Sequence, residues 1–237
     1  MTDDEKCFEA FRVTNQLYAF WQQVRDDAER RFRNGTRFPY IIRGTATDDK
    51  RNKWTLLLIL PSKAAKRKGQ YLTIAYTTYE IPPKRKENDL NAGRGIIMFD
   101  PIHMEHFIND HKSHSSIFMD VIPHAFNRYT ERYLKPRGLQ DITFERKVEN
   151  MITRWMHFDV EADLLGDINA AKHKGDNLCP YDVYMRGGGM LRGQIVNNLL
   201  LRFTTYVSPD MMFDNQLKRQ QEMMREHWEW KRTGLKP

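Results

Sequence analysis

The chain has 237 residues, of which 40% are hydrophobic and 12% are aromatic. This much bulky apolar material excludes a disordered chain, which would lack the residues that form a core, and it predicts a folded protein of one or two domains. The formal net charge of +7 favours a polyanion as partner, because Lys and Arg release condensed counterions when they contact phosphates.

The sequence predicts neither export nor a membrane span. It begins with the acidic run T-D-D-E after Met1, whereas a secretory signal begins with a basic region that an apolar region follows. The longest apolar run covers only residues 56–60, far short of the roughly 20 residues that a membrane helix needs. The two cysteines, Cys7 and Cys179, support neither a disulfide framework nor a zinc site. We therefore expect a cytoplasmic protein without a membrane partner.

The first half of the chain predicts one long helix and then four strands. Residues 4–33 carry an apolar stripe at helical spacing, which ends before Gly35; the stripe comprises Phe11, Tyr18, Trp21, Val24 and Ala28. Runs rich in β-branched and aromatic residues predict strands at residues 38–45, 53–60, 70–81 and 94–99. Their short connections favour an antiparallel meander.

The second half predicts helices first and strands afterwards. Helices are expected at residues 101–110, 123–134, 144–158 and 162–172, and strands at 180–185, 191–196 and 199–207, with a last helix at 213–232. The fold class is therefore α+β, with an antiparallel sheet in each half, a helical middle that joins them, and long N- and C-terminal helices. The polar residues 111–116 suggest two domains, 1–115 and 116–237, although the same segment also fits a loop within one domain.

Two basic loops of the meander could contact nucleic acid, although charge runs in loops also serve simply for solvation. The candidate residues for nucleic-acid contact are Lys66, Arg67, Lys68, Lys84, Arg85 and Lys86.

The helix that starts at His124 groups residues suited to phosphodiester chemistry. At about 100° per residue, one arc of this helix holds His124, Arg128, Glu131 and Arg132, while an opposite, apolar arc holds Ala125, Phe126, Tyr129 and Tyr133. An imidazole can transfer a proton near neutral pH, and an Arg fork can hold a phosphate. A solvated helix face with an Arg128–Glu131 ion pair is the alternative interpretation.

The run from His124 to Arg132 reads H-A-x-x-R-aromatic-x-E-R. It resembles the opening helix of a family of small bacterial domains that are grouped with the barnase–RelE–colicin type of ribonuclease toxins. In that family a helix bearing His and Arg precedes a small antiparallel sheet, and a polar residue late in the sheet completes the site. The resemblance implies a counterpart in the strand at residues 199–207, where Arg202, Thr204 and Tyr206 would alternate onto one face.

These observations together predict an RNA-binding or RNA-cleaving protein that needs neither metal nor cofactor. His124 would transfer the proton, Arg128 and Arg132 would hold the scissile phosphate, and Thr204 or Tyr206 would position it. Glu131 would orient an Arg or act as the base itself, and Arg202 would contact nucleic acid.

Several alternatives stay open from the sequence. A non-catalytic nucleic-acid or protein binding module of a mobile-element or phage-related complex would use the basic loops alone. A metal-dependent hydrolase would use the histidine-rich segment at residues 103–114, where His103 and His106 have metal-ligand spacing. The glycine run at residues 187–189 lies between Arg186 and Arg192 and could form a hairpin tip or cradle a phosphate. Two Trp on different faces of the last helix could mark a protein partner or a homo-oligomer.

Overall fold

The computed structural model describes residues 2–34, 37–67, 72–83, 91–101, 118–154, 179–196 and 200–233. These residues form an α+β fold, as predicted. They contain eight strands: β1 Tyr40–Thr47, β2 Lys53–Leu60, β3 Leu72–Ile81, β4 Gly93–Phe99, β5 Phe118–Val121, β6 Cys179–Tyr184, β7 Met190–Val196 and β8 Leu200–Val207.

The eight strands of the described residues lie in one sheet, in the order β1-β2-β3-β4-β5-β8-β7-β6. This differs from the prediction of a separate sheet in each half. The short strand β5, which the sequence patterns did not predict, supplies the strand between β4 and β8. The polar residues 111–116, which suggested a domain boundary, lie outside the described residues.

The α-helices within the described ranges are α1 Asp3–Asn34, α2 Lys63–Arg67, α3 Pro123–Tyr129, α4 Phe144–Ile152 and α5 Asp214–Thr233. The predicted helix at residues 123–134 is α-helical only as far as Tyr129; it continues as a π-helical segment, Thr130–Leu134, and a 3-10 turn, Lys135–Arg137. The helices predicted at residues 101–110 and 162–172 lie outside the described residues, apart from Pro101.

By its internal contacts the chain divides into two compact units. Unit 1 comprises Met1–Thr77, Ile97–Phe118 and Glu229–Pro237, and unit 2 comprises Thr78–Ile96 and Met119–Trp228. Both units are discontinuous in sequence. The division into domains 1–115 and 116–237, with a single domain as the alternative, stays a prediction.

Unit 1 is built from α1 and the antiparallel strands β1, β2 and β3. The buried side of α1 includes Ala10, Val13, Leu17, Trp21, Ala28 and Phe32, a set spaced at three, four or seven residues, as a helix against a sheet requires. Trp21 and Ala28 of the predicted stripe are buried, as predicted, whereas Phe11 and Tyr18 are only half-buried. Trp54 and Phe99 fill the core with ring centroids 5.6 Å apart.

Unit 2 is built around the antiparallel strands β6, β7 and β8. The tip between β6 and β7 is the predicted hairpin turn, where Gly187, Gly188 and Gly189 all have positive φ. One small core contains Tyr184, Met190, Met212 and Met223, which joins the hairpin to α5. Helix α3 packs on β8, and this contact places the predicted site.

Candidate functional site

The apolar side of helix α3 is buried, as the sequence predicted. Pro123 stands at the start of the helix, where its missing N–H and fixed φ cost nothing. The buried residues are Ala125 at 0% exposure, Phe126 at 4%, Tyr129 at 0% and Tyr133 at 2%. The Tyr129 and Tyr133 rings stack with centroids 5.1 Å apart. His124 and Arg128, on the other side, are only half-buried.

The predicted polar group of this helix is brought together in part. Arg128 Nη1 lies 2.7 Å from Glu131 Oε2, so the ion pair considered in the alternative interpretation is present. Arg132 Nη1 donates to the Tyr206 carbonyl oxygen at 2.9 Å, which anchors this guanidinium at the end of β8. The π-helical segment carries both Glu131 and Arg132; such wide turns are found frequently at functional sites.

The surroundings of His124 disfavour its protonated form. Burial lowers the pKa of His124 below its ordinary value, and the positive charges of Arg128 and Arg132 lower it further, because both effects disfavour imidazolium. The imidazole therefore lies within the electrostatic reach of two guanidiniums. A neutral imidazole at pH 7 can accept a proton from a hydroxyl group of a ligand. A guanidinium beside it can bind an anionic group of the same ligand.

Tyr206 does not face the same side as Thr204. Arg192 of β7 pairs with Thr205 of β8, and the next residue, Gly193, pairs with Phe203. Thr204 therefore has no partner in β7 and forms a bulge. A bulge of this kind reverses the alternation beyond it, so Tyr206 joins Phe203 in the core, both at 0% exposure. The predicted single face of Arg202, Thr204 and Tyr206 therefore does not form.

The Tyr206 hydroxyl has a structural partner. It donates to the Gly188 carbonyl oxygen at 3.0 Å, and its ring meets Tyr129 edge-on at 5.5 Å. Burial, with the neighbouring Tyr133, raises the pKa of Tyr206, so its hydroxyl stays protonated. Thr204 is likewise engaged: its hydroxyl donates to the Arg192 carbonyl oxygen at 3.2 Å.

Arg202 lies against a buried carboxylate. Its Nε is 3.1 Å from Asp120 Oδ2, and the Tyr79 hydroxyl donates to Asp120 Oδ1 at 2.6 Å. Asp120 is 0% exposed, and a buried carboxylate requires such donors. The structure thus gives the predicted nucleic-acid contact at Arg202 an internal partner.

Asp210 is a residue near the site that sequence reasoning missed. The hydrogen bond from Ser208 lowers the pKa of the exposed Asp210, and the charge of Arg132 adds to this effect. Asp210 belongs to the turn Pro209–Met211, which follows β8. The S-P-D sequence after a strand, a turn signal, was the one available indication.

The predicted basic loops are described only in part. Lys66 and Arg67 end the short helix α2, where the Lys66 Nζ donates to the Arg33 carbonyl oxygen at 2.5 Å and Arg67 is exposed. Lys68, Lys84, Arg85 and Lys86 lie outside the described residues.

A groove of about 430 Å³ in unit 1 runs between α1 and the β1–β2 turn, and Asp48 lines it. Asp48 accepts hydrogen bonds from Arg12 Nη2 at 2.7 Å, the Asn52 N–H at 2.8 Å and Trp54 Nε1 at 3.1 Å. Arg12 also contacts Glu9 and Asp49. The carboxylate of Asp48 is thus engaged in fixing the turn to α1.

The histidine-rich segment, with His103, His106, His111 and His114, lies outside the described residues. In the part of the chain that the structure describes, no three His, Cys, Asp or Glu side chains are grouped to hold a metal ion. Across those same ranges, no helix combines the length and the apolar character that crossing a membrane requires. Comparisons with protein-family models, with curated proteins and with solved structures found no match to this chain.

Proposed function

We propose that this protein binds RNA and cleaves it without a metal ion, with His124 as the general base. The observation that carries the proposal is the grouping of His124, Arg128 and Arg132 on one side of a helix whose other side is buried. Burial and the two guanidiniums lower the pKa of His124. An imidazole that is neutral at pH 7, next to fixed positive charge, suits the attack of a 2′-hydroxyl on the adjacent phosphate.

The reaction would proceed as an internal transfer. His124 takes the proton of the 2′-hydroxyl, and the 2′-oxygen forms a bond to phosphorus while the bond from phosphorus to the 5′-oxygen breaks. The imidazolium or water then returns a proton to the leaving oxygen, giving a 2′,3′-cyclic phosphate and a 5′-hydroxyl end. Arg128 and Arg132 would bind the phosphate oxygens and stabilise the developing charge.

The remaining contacts would position these groups. Glu131, 54% exposed, pairs with Arg128, and the Tyr206 carbonyl holds Arg132. Each guanidinium has five N–H donors, and these contacts leave several for a ligand. The net charge of +7 suits an RNA partner in the cytoplasm.

Cleavage of a labelled RNA oligonucleotide in excess chelator tests the proposal. The wild type should give a 2′,3′-cyclic phosphate product and leave the all-deoxy oligonucleotide intact. His124→Ala and Arg128→Ala should each lower the rate by about 100-fold or more. Arg219→Gln is the matched control, since Arg219 is an exposed Arg of unit 2 in an i, i+3 pair with Glu222. Intact RNA after incubation with the folded wild type would reject the enzymatic proposal.

A binding function without turnover is the second candidate. The observation that favours it is that Arg128 and Arg132 both already contact protein acceptors, Glu131 and the Tyr206 carbonyl. A non-catalytic module would hold RNA in a salt-sensitive manner and release it unchanged. Binding measured by fluorescence anisotropy, together with the cleavage assay, separates the two candidates.

A further inference from the structure

Three arginines of unit 2 converge on the glycine turn between β6 and β7. Arg137 belongs to the 3-10 turn after the His124 helix, Arg154 follows α4, and Arg186 opens the glycine turn itself. The Arg186 N–H donates to the Arg154 carbonyl oxygen at 2.5 Å, and the Arg137 Nη2 donates to the Gly187 carbonyl oxygen at 3.3 Å. Residues distant in sequence therefore share one location, here called the arginine cluster.

The ring of Tyr133 supports two of these guanidiniums. The guanidinium carbon of Arg137 lies 3.8 Å from the ring centroid, and that of Arg154 lies 4.8 Å from it. Cation–π contacts of this kind fix a guanidinium in place without neutralising its charge. The arginine cluster is thus ordered on a Tyr133 side chain that is itself only 2% exposed.

The protein acceptors of the arginine cluster are neutral. Arg137 donates to the carbonyl oxygens of Tyr133 and Gly187. Arg154 donates to Asn150 Oδ1 at 2.7 Å and to the Arg186 carbonyl oxygen at 3.4 Å. Arg186 Nη2 donates to the Thr153 carbonyl oxygen at 2.9 Å. Within the described residues, none of the three arginines has a carboxylate within ion-pair distance.

Burial and mutual repulsion disfavour the positive charge of Arg186. Burial lowers the pKa of Arg186, and the like charge of Arg154 lowers it further. Each guanidinium has five N–H donors, of which the protein contacts use two in Arg137, two in Arg154 and one in Arg186. A ligand that brings negative charge and several acceptor oxygens would relieve the repulsion and use the remaining donors.

The glycine turn lies in direct contact with the arginine cluster. Gly187 and Gly188 have φ of 94° and 109°, conformations that glycine adopts readily and other residues avoid. A Cβ on Gly187 would meet the Tyr133 hydroxyl at 2.9 Å and Arg154 Nη1 at 3.0 Å. The absence of a side chain at Gly187 therefore lets the turn pack directly against Tyr133 and Arg154.

We propose that Arg137, Arg154 and Arg186 form a phosphate-binding site at the Gly187–Gly189 turn, suited to a phosphate dianion. Planar guanidiniums match the oxygens of a phosphate group with paired hydrogen bonds. The ligand is a terminal phosphate of RNA or a free phosphate group. This site does not depend on RNA cleavage by His124, and it would exist equally in a non-catalytic binding protein.

Inorganic phosphate at constant ionic strength tests the site, with chloride as the reference anion. In a titration followed by NMR, phosphate should shift the amide signals of Gly187, Gly188 and Gly189 in the wild type in a saturable manner. Arg137→Gln and Arg154→Gln should each weaken phosphate binding by about tenfold or more, while Arg219→Gln should bind as the wild type does. If the glycine amide signals of the wild type respond to phosphate no more than to chloride, the proposal is overturned. This outcome does not depend on whether the variants fold.

A second arm identifies the source of the phosphate. An all-deoxy oligonucleotide with a 5′-phosphate and the same oligonucleotide with a 5′-hydroxyl are compared as competitors of inorganic phosphate. Stronger competition by the 5′-phosphate form supports the site and assigns it to a nucleic-acid end. Saturable binding of inorganic phosphate that neither oligonucleotide displaces supports the site as one for free phosphate. Wild-type binding of inorganic phosphate that Arg137→Gln and Arg154→Gln both retain in full would overturn the assignment to these arginines.

Discussion

At the scale of single residues, the proposed chemistry depends on the protonation of His124. Burial and the charges of Arg128 and Arg132 lower its pKa, so the unfolded chain takes up a proton near the ordinary value of about 6.5 while the folded protein does so only at lower pH. This contribution to stability is complete above about pH 6.5 and is lost as the pH falls through the folded pKa.

We predict that Arg128→Gln raises the pKa of His124 towards its ordinary value, because the variant removes one of two nearby cations. An NMR titration of the imidazole Cε1–H signal measures this shift. Arg219→Gln should leave the His124 pKa unchanged. A wild-type His124 that titrates above pH 6.5 would contradict both the electrostatic environment and the proposed general base.

Asp48 offers a second prediction at the residue scale. Burial opposes its ionisation, yet the hydrogen bonds from Asn52, Trp54 and Arg12 outweigh this effect and lower its pKa. Its stabilising contribution is therefore present above the unfolded pKa of about 3.9 and is lost as the pH falls through the folded value.

Accordingly, Asp48→Asn should lower the free energy of unfolding by about 2 kcal/mol at pH 7, and by clearly less near pH 3. Urea denaturation at the two pH values measures the difference. A cost that is the same at both pH values would mean that the ionised carboxylate contributes little to fixing the β1–β2 turn.

At the scale of elements, the glycine turn and the strand bulge decide what the candidate site contains. Gly189 has φ of 78°, and a Cβ there would overlap the Tyr206 hydroxyl and lie 2.6 Å from the Val207 carbonyl oxygen. Gly138 also has positive φ, at 67°, but a Cβ there would meet nothing within 4 Å. An alanine at Gly138 would therefore add backbone strain alone, whereas an alanine at Gly189 would add both backbone strain and steric overlap.

We predict that Gly138→Ala lowers the free energy of unfolding by about 1 kcal/mol, the usual cost of a left-handed alanine. Gly189→Ala should cost distinctly more, because it adds overlap to the same backbone strain. Thermal or urea denaturation of both variants makes the comparison. Equal losses would show that the hairpin tip accommodates a side chain by moving away from Tyr206.

At this scale, sequence patterns predicted which side of a regular helix is buried, but they did not predict where a strand is interrupted by a bulge. The 3.6-residue period predicted that Phe126 and Tyr129 would be buried, and the glycine run predicted the β6–β7 hairpin. The period-2 alternation of β8 failed beyond Thr204, because one unpaired residue in β8 reverses every side chain after it. Pairing with β7 creates that bulge, and nothing within residues 200–207 alone marks its position.

At the scale of the whole molecule, the net charge of +7 makes any RNA binding dependent on salt. Affinity for an all-deoxy analogue, measured by fluorescence anisotropy, should fall about tenfold or more between 50 and 200 mM salt if three or more phosphates are contacted. Replacing Lys84, Arg85 and Lys86 with glutamine should reduce the slope of log affinity against log salt by about 2. Binding that does not depend on salt would reject a polyanion partner.

The sequence by itself determined the fold class, most strand positions, the long first helix and the buried side of the His124 helix, because each depends on a local period or a turn residue. The tertiary structure alone decided that the described strands join one sheet, that Tyr206 enters the core, and that Arg137, Arg154 and Arg186 meet at one turn. Strand register and side-chain convergence depend on pairings between residues far apart in the chain, and a linear pattern carries no record of those pairings.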